Sequence, residues 1–245
     1  MANTAVQKAK INLPTDVNAA MAAEIAALQS RVSAPSGDRI TVTQSKTFKL
    51  ANGQEVDEFD AVIVDFASVN LYYTDAYDRN NVSPPACFAL GLEPAGLIPS
   101  DKSPDKQAGS CSSCWANQFG SAGKGKACQN TYLLALLPLD ADASTQLSIL
   151  KVSPTAMRAF DGHVTATARK HQLPVRGIVT RFSFNRESDY ASVRFTDVGM
   201  TDKDLLLMAH GRKEEAIKRL LTEPDVNPVE ETKVVKAPAK RGARR

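Results

Sequence analysis

Residues 61–73 read AVIVDFASVNLYY, and this stretch decides the class of fold. Branched and aromatic residues run through its whole length, a composition that favours an extended strand over a helix. A strand this long must bend strongly to stay within one small domain, as the central strand of a barrel does. The expected fold is therefore built outward from this stretch.

Shorter strand patterns lie on both sides of it. Residues 39–60 predict strands with a tight turn at Asn52-Gly53, a pair that favours hairpins. Further strands are predicted at residues 131–139, 146–153, 173–187 and 190–199. Five to six short antiparallel strands with flanking helices indicate a mainly β (α+β) fold, and we expect an OB-like antiparallel barrel.

Two helices are predicted among the later strands. The first begins with Ser153 as N-cap and Pro154 at the first position. Its apolar face comprises Met157, Phe160, Val164 and Ala168. The second covers residues 202–221, with Thr201 as N-cap, acidic residues in its first turn and basic residues in its last.

The two ends of the chain differ from its body. Residues 1–37 predict a helical arm whose thin apolar stripe needs a partner surface, so we expect self-association there. Residues 38–222 form the expected OB-like domain, with a cysteine-containing insertion at residues 78–130 that we expect to lie between strands and outside the sheet. Residues 223–245 are rich in Pro and basic residues, and we expect disorder there.

The charge distribution limits the classes of partner. The chain has 245 residues and a formal net charge of +3, but the last thirteen residues carry six basic side chains and no acidic one. Residues 1–232 therefore carry −3, which does not predict a large nucleic-acid surface. Any nucleic-acid contact would need a local groove or the tail. No secretory signal and no membrane-length apolar run are visible, so we expect an intracellular protein.

The four cysteines follow the spacing Cys87-x23-Cys111-x2-Cys114-x13-Cys128. Four thiolates are a favoured tetrahedral ligand set for Zn²⁺, and the x2 spacing lets one tight turn present two sulfurs to one ion. This predicts one structural zinc ion per chain. The nearby basic residues expected to offset the surplus negative charge are Lys102, Lys106, Lys124 and Lys126.

Other interpretations of the cysteines remain open. A redox Cys-x-x-Cys would be expected between a strand and a helix, whereas this pair lies in a loop rich in Ser and Gly. Two disulfides would suit an exported protein, and an iron–sulfur cluster would use the same four ligands. The run GSAGKGKA at residues 120–127 lacks the Gly-Lys-Ser/Thr ending of a phosphate-binding loop.

Aromatic and basic residues near the insertion and in the later strand pair suggest single-strand binding, which uses stacking faces and backbone cations. The candidate residues are Tyr72, Tyr73, Tyr77, Arg79, Trp115, Lys124, Lys126, Arg181, Phe184, Arg186 and Arg194. We expect Phe160, Phe182 and Phe195 to belong to the core. The three histidines are expected to be surface or helix-end residues, and no catalytic motif is recognisable, so no enzymatic activity is predicted.

With these features assembled, the chain resembles phage single-stranded DNA-binding proteins. It is most similar in layout to the T4-like helix-destabilising proteins, whose OB barrel carries a zinc knuckle. The matching parts are NLYYTDAY at residues 70–77, the cysteine segment at 87–128 and RFSF at 181–184. The resemblance covers roughly residues 38–200 and implies zinc ligation by the four cysteines and a DNA groove lined by tyrosines.

The resemblance implies a role in phage DNA replication or recombination, by binding single-stranded DNA or RNA with little sequence specificity. Replication or recombination proteins are then expected partners. A second hypothesis has no intrinsic single-strand binding. In it the cysteine knuckle stabilises a protein-interaction, virion-associated or transcription accessory factor whose basic tail binds an acidic partner.

Overall fold

A computed structural model describes residues 38–75 and 83–226. The predicted arm, nearly all of the basic tail, and the candidates Tyr77 and Arg79 lie outside the described residues. The strands are β1 (Arg39–Val42), β2 (Phe48–Lys49), β3 (Glu55–Val56), β4 (Phe59–Tyr72), β5 (Cys87–Gly91), β6 (Cys128–Pro138), β7 (Ser148–Val152), β8 (Ile178–Phe184) and β9 (Val193–Met200). The helices are α1 (Met157–His171), α2 (Lys203–Gly211) and α3 (Lys213–Leu220).

Strand β4 organises the sheet, as its sequence predicted. It pairs antiparallel with β6 over most of its length, from Ala61 opposite Pro138 to Tyr72 opposite Cys128. Its other edge is shared by β8 along the first part and by β5 along the last part. A register shift between Ile63 and Asp65 marks a bulge, which bends the strand and increases its twist.

The described part of the chain is mainly β, as expected, but the sheet differs from the predicted barrel in three ways. It contains nine strands, in the order β3-β2-β1-β7-β6-β4-β8-β9 with β5 beside β4, instead of five or six. The sheet is a curled half-barrel that stays open, with β3 and β9 at its ends. The pairing of β1 with β7 is parallel. Strands β2 and β3, on either side of the predicted turn at Asn52-Gly53, have only two residues each.

The cysteine insertion also contributes to the sheet, through β5 and through residues 128–130 at the start of β6. The irregular composition of this segment suggested that it lies apart from the strands. In the structure, Cys87–Gly91 forms β5 and pairs with the last part of β4. The prediction was wrong for these residues because a five-residue strand between loops leaves little periodicity to detect.

Two apolar cores lie on opposite faces of the sheet. Leu134 and Leu136 of β6 point to the front face, where α1 packs, and Ala135 and Leu137 point to the back face, where α2 and α3 pack. The front core includes the fully buried side chains Phe48, Phe160, Phe182 and Leu150. The predicted core positions of Phe160 and Phe182 are confirmed, and Phe195 packs against the same cluster.

The predicted helices form with shifted starts. Residues 154–156 make a short 3₁₀ turn before α1 begins. The second predicted helix divides into α2 and α3 around Arg212, and its N-cap is Asp202, whose carboxylate accepts from the Asp204 N–H, and not Thr201. The Thr201 hydroxyl donates to the carbonyl of Arg176 instead. None of the helices placed by the structure is long and apolar enough to cross a membrane.

Candidate functional site

The four cysteines meet at one end of the sheet. Cys87 begins β5 and Cys128 begins β6, and the pairing register places both strand starts beside Tyr72 at the end of β4. Cys111 and Cys114 reach the same place from the loop between β5 and β6, and all four thiols line one cavity of about 10 Å³. All four cysteines are buried and none forms a disulfide.

The loop that carries Cys111 and Cys114 is held by its own hydrogen bonds. The Cys111 N–H donates to the carbonyl of Leu97, and the Asn117 side-chain amide donates to the carbonyl of Cys111 at 2.8 Å. A 3₁₀ turn over Trp115–Asn117 follows Cys114 directly. Farther along, Gly120 takes a positive φ of 92°, a conformation that favours glycine, and lets the chain turn back toward Cys128.

The chemistry of this cluster suits a soft metal ion. Burial, and then the neighbouring thiols Cys111, Cys114 and Cys87, raise the pKa of the Cys128 thiol to about 12, and the charge of Lys126 opposes the shift. Burial also raises the pKa of Cys111, although a hydrogen bond with Asn70 opposes this. Four buried sulfur ligands without a cation disfavour the thiolate form, and Zn²⁺ would favour it. Within residues 38–75 and 83–226, no group of three or more His, Cys, Asp or Glu side chains has an arrangement that could hold a metal ion. The residue types of the cluster suit zinc, but the thiols would have to move closer together to bind it.

A chain of amides connects the thiols to a lysine. The Lys126 ammonium donates to Asn130 Oδ1 at 3.1 Å and to Asn117 Oδ1 at 3.2 Å. The Asn130 amide in turn donates to Asn70 Oδ1 at 2.5 Å, and Asn70 contacts the Cys111 thiol. This arrangement places a positive charge close to a site where negative sulfur charge would develop. It supports the predicted charge-compensating role of Lys126.

Lys102 and Lys106 do not share that role in the structure. The Lys102 ammonium pairs with Glu223 at 2.8 Å, and Lys106 pairs with Asp101. Both lysines are thus engaged with carboxylates, which corrects the expectation that they offset the thiolate charge. Lys124 is exposed at the tip of the loop.

Exposed aromatic rings surround the cysteine cluster. The side chain of Trp115 is 51% exposed, and that of Phe119 is 81% exposed. The Lys126 ammonium lies 5.1 Å from the centre of the Phe119 ring, within cation–π range. Tyr72 packs edge-on against Trp115, with ring centres 5.7 Å apart. We call this surface of Tyr72, Trp115, Phe119, Lys124 and Lys126 the knuckle surface.

The candidates in β8 and β9 are less suited to nucleic-acid binding than the sequence suggested. Arg181 makes a two-pronged ion pair with Asp60, at 2.7 and 2.8 Å, so its charge is already matched. Phe184 is buried and stacks on Phe48 with ring centres 4.2 Å apart. The predicted stacking role of Phe184 is therefore wrong, because at strand spacing it shares the core face with Phe182. Arg186 and Arg194 are exposed.

The structure also separates the candidates into two groups. Arg181 pairs with Asp60 near the start of β4, whereas Tyr72 ends that strand beside the cysteines. The strand has 14 residues, so these positions lie about 40 Å apart along it. Tyr73 lies next to the knuckle surface in sequence and is half-buried, and burial raises its pKa.

Sequence reasoning missed several residues of this site. Phe119 is not among the binding residues that the sequence suggested, although it is the most exposed large apolar side chain among the described residues. Asn70 stands two residues before Tyr72, so strand alternation puts both on one face and could have indicated it. The expectation that all histidines are surface or helix-end residues was wrong for His163. This side chain is buried and shares a 3.0 Å hydrogen bond with Thr180.

No family model, no curated protein and no solved structure matches this chain. The function therefore has to be argued from the residues themselves.

Proposed function

We propose that this chain is a non-enzymatic single-stranded nucleic-acid-binding protein, of the kind that serves phage DNA replication or recombination. The observation that carries the proposal is the position of the knuckle surface directly outside the cavity lined by the four cysteines. Exposed rings next to lysines are the two components that single-strand binding requires. Exposed apolar side chains that cluster together mark interaction sites, and base stacking is one use of such a cluster.

A zinc ion held by Cys87, Cys111, Cys114 and Cys128 is part of the proposal. When bound, the ion would fix the loop between β5 and β6, which carries Trp115, Phe119 and Lys126. In this proposal the side chains of the chain, and not the ion, contact the nucleic acid. The rings offer stacking faces, and Lys124 and Lys126 offer charge to the phosphate backbone. Neither contact reads base edges, so binding is expected to depend little on sequence.

The test is the affinity for oligo-dT, measured by fluorescence anisotropy over a range of salt concentrations. The wild-type chain should bind, with affinity falling steeply as salt rises. Phe119→Ala should weaken binding by about 1–3 kcal/mol, the usual cost of removing one stacking ring. Tyr190→Ala is the matched control, because this ring is 57% exposed but lies in the loop between β8 and β9.

Two results would contradict the proposal. Wild-type protein that binds neither oligo-dT nor an RNA oligonucleotide at low salt would favour the protein-interaction hypothesis. Equal losses in Phe119→Ala and Tyr190→Ala would show that the knuckle surface has no special part in binding.

A further inference from the structure

A second surface with the chemistry of a phosphate site lies on the back face of the sheet. Helices α2 and α3 cover the back face around Val62, Ala135 and Leu137. Next to this covered region, strands β1, β6 and β7 line an open groove of about 390 Å³. Its walls include Arg39, Gln129, Leu133, Ile149, Lys151 and Ser153. We call it the back groove.

The back groove is positively charged. Arg39 lines it from β1 and Lys151 from β7, and the parallel pairing of the two strands holds them close. None of its lining residues is acidic. Neither cation forms an ion pair with any residue that the structure places, in contrast to Arg181 and Arg219, which pair with carboxylates. Burial, and then the charge of Arg39, lower the pKa of Lys151.

Two like charges held together without a counter-charge are costly, and an anion placed between them relieves the repulsion. The rest of the groove narrows the class of anion. Leu133 and Ile149 form an apolar floor, and Gln129 and Ser153 add hydrogen-bonding groups. A nucleic-acid strand offers both components, because its phosphates match the cations and its sugars and bases match the apolar floor.

The position of the groove connects it to the knuckle surface. Gln129 lines the groove and directly follows Cys128, so alternation along β6 puts the groove and Cys128 on opposite faces at the same end of that β-strand. From Cys128 to Leu133, the strand advances by about 16 Å. Single-stranded sites on folds of this size extend over about 4–16 nucleotides, enough to reach both surfaces.

We propose that the back groove binds the phosphate backbone of single-stranded nucleic acid through Arg39 and Lys151, as a continuation of the knuckle surface. The inference rests on the proposed function and adds a path for the bound nucleic-acid strand across the protein surface. It also identifies a local basic groove, which nucleic-acid binding by the slightly negative body of the chain would need.

The test compares the full-length double variant Arg39→Gln/Lys151→Gln with wild type in oligo-dT binding at several salt concentrations. Glutamine keeps most of each side-chain stem, so packing in the groove should change little. Loss of two phosphate contacts should reduce the slope of log affinity against log salt by about 1.4. The control is Lys213→Gln/Lys218→Gln, which removes the same charge from exposed positions on α3.

The possible results separate the two proposals. A shallower slope in the groove variant, with the α3 control close to wild type, supports the groove. Wild-type binding with an unchanged slope in the groove variant would overturn the groove and leave the proposed function standing. The N-terminal arm, which precedes β1 in the sequence, would then be the better candidate occupant. Absence of binding by wild type would overturn both proposals.

Discussion

At the residue scale, burial and pairing decide which basic and aromatic side chains remain available. Arg181 and Lys126 are both basic residues near aromatic ones in the sequence, but Arg181 is engaged by Asp60, whereas Lys126 contacts only amides and the Phe119 ring. An arginine held in a two-pronged pair would lose that partner on binding phosphate. Lys126 faces no such loss, so it is the better candidate for an anionic ligand.

His163 gives a prediction at the same scale. Burial lowers the pKa of His163, and the nearby Asp197 opposes the shift only in part. Since the unfolded chain binds this proton more readily than the folded chain, the free energy of unfolding should fall as the pH drops below about 6.5. Replacing His163 by Gln, which can still bond to Thr180, should make this decline shallower.

The measurement is urea denaturation between pH 5 and pH 8. His210→Gln serves as the control, because His210 is exposed in the last turn of α2. A pH dependence that is identical in wild type and the His163 variant would show that His163 is protonated equally in both states.

At the element scale, the cysteine loop is a unit that packs largely by itself. Cys111 clusters with Ala89 and Leu97, and Cys114 clusters with Ala116 and Cys128, apart from the two large cores. Small clusters of this size contribute little apolar stabilisation, so the order of the loop should depend on the bound ion.

This leads to a prediction on metal removal. Protein purified without chelator should contain about one zinc per chain, and Cys114→Ser should lose most of it. Removing the ion with a chelator should increase hydrogen exchange in residues 92–127. It should leave the core parts of β6 (residues 134–138) and β7 (residues 148–152) protected from exchange, because these strands belong to the large cores.

Other results would lead to a different assignment. Iron in the purified protein would favour the cluster interpretation of the four cysteines. Exchange that rises across the whole sheet would show that the loop and the cores unfold as one unit.

At the scale of the whole molecule, β4 connects the two large apolar cores to the cysteine cluster. Its first part pairs with β8 and contributes to both cores, and its last part supports the cysteine cluster. The end of the described chain also returns to the cysteine segment, since Glu223 contacts Lys102 and Ser100. The described chain therefore ends close to the loop between β5 and β6.

The contribution of the tail can be measured by truncation. A chain that ends at residue 226 keeps the contacts of Glu223 and loses all six basic residues of the tail. It should still bind oligo-dT at low salt. The slope of log affinity against log salt should fall by up to about 4, because the phosphate contacts of the six basic residues are lost. If the truncated chain does not bind at all, the tail alone would account for the affinity of the full-length protein.

Much of the fold could be predicted because long strands leave a clear pattern. The apolar run at residues 61–73 predicted the central strand, and the turn at Asn52-Gly53 joins β2 to β3 with Gly53 at a positive φ of 83°. Strand β5 gave no usable pattern because it has only five residues between loops. The parallel pairing of β1 with β7 depends on contacts distant in sequence, which local periodicity does not report.

By itself, the sequence determined the mainly β class, the central strand and the chemistry of the four-cysteine set. These follow from residue type and spacing, which are local properties. Only the tertiary structure decided that all four cysteines line one cavity, that Phe184 and Arg181 are engaged while Phe119 is exposed, and that Arg39 meets Lys151 in a groove. The physical reason is that burial and charge pairing depend on neighbours brought together by folding, over separations that reach more than 100 residues between Arg39 and Lys151.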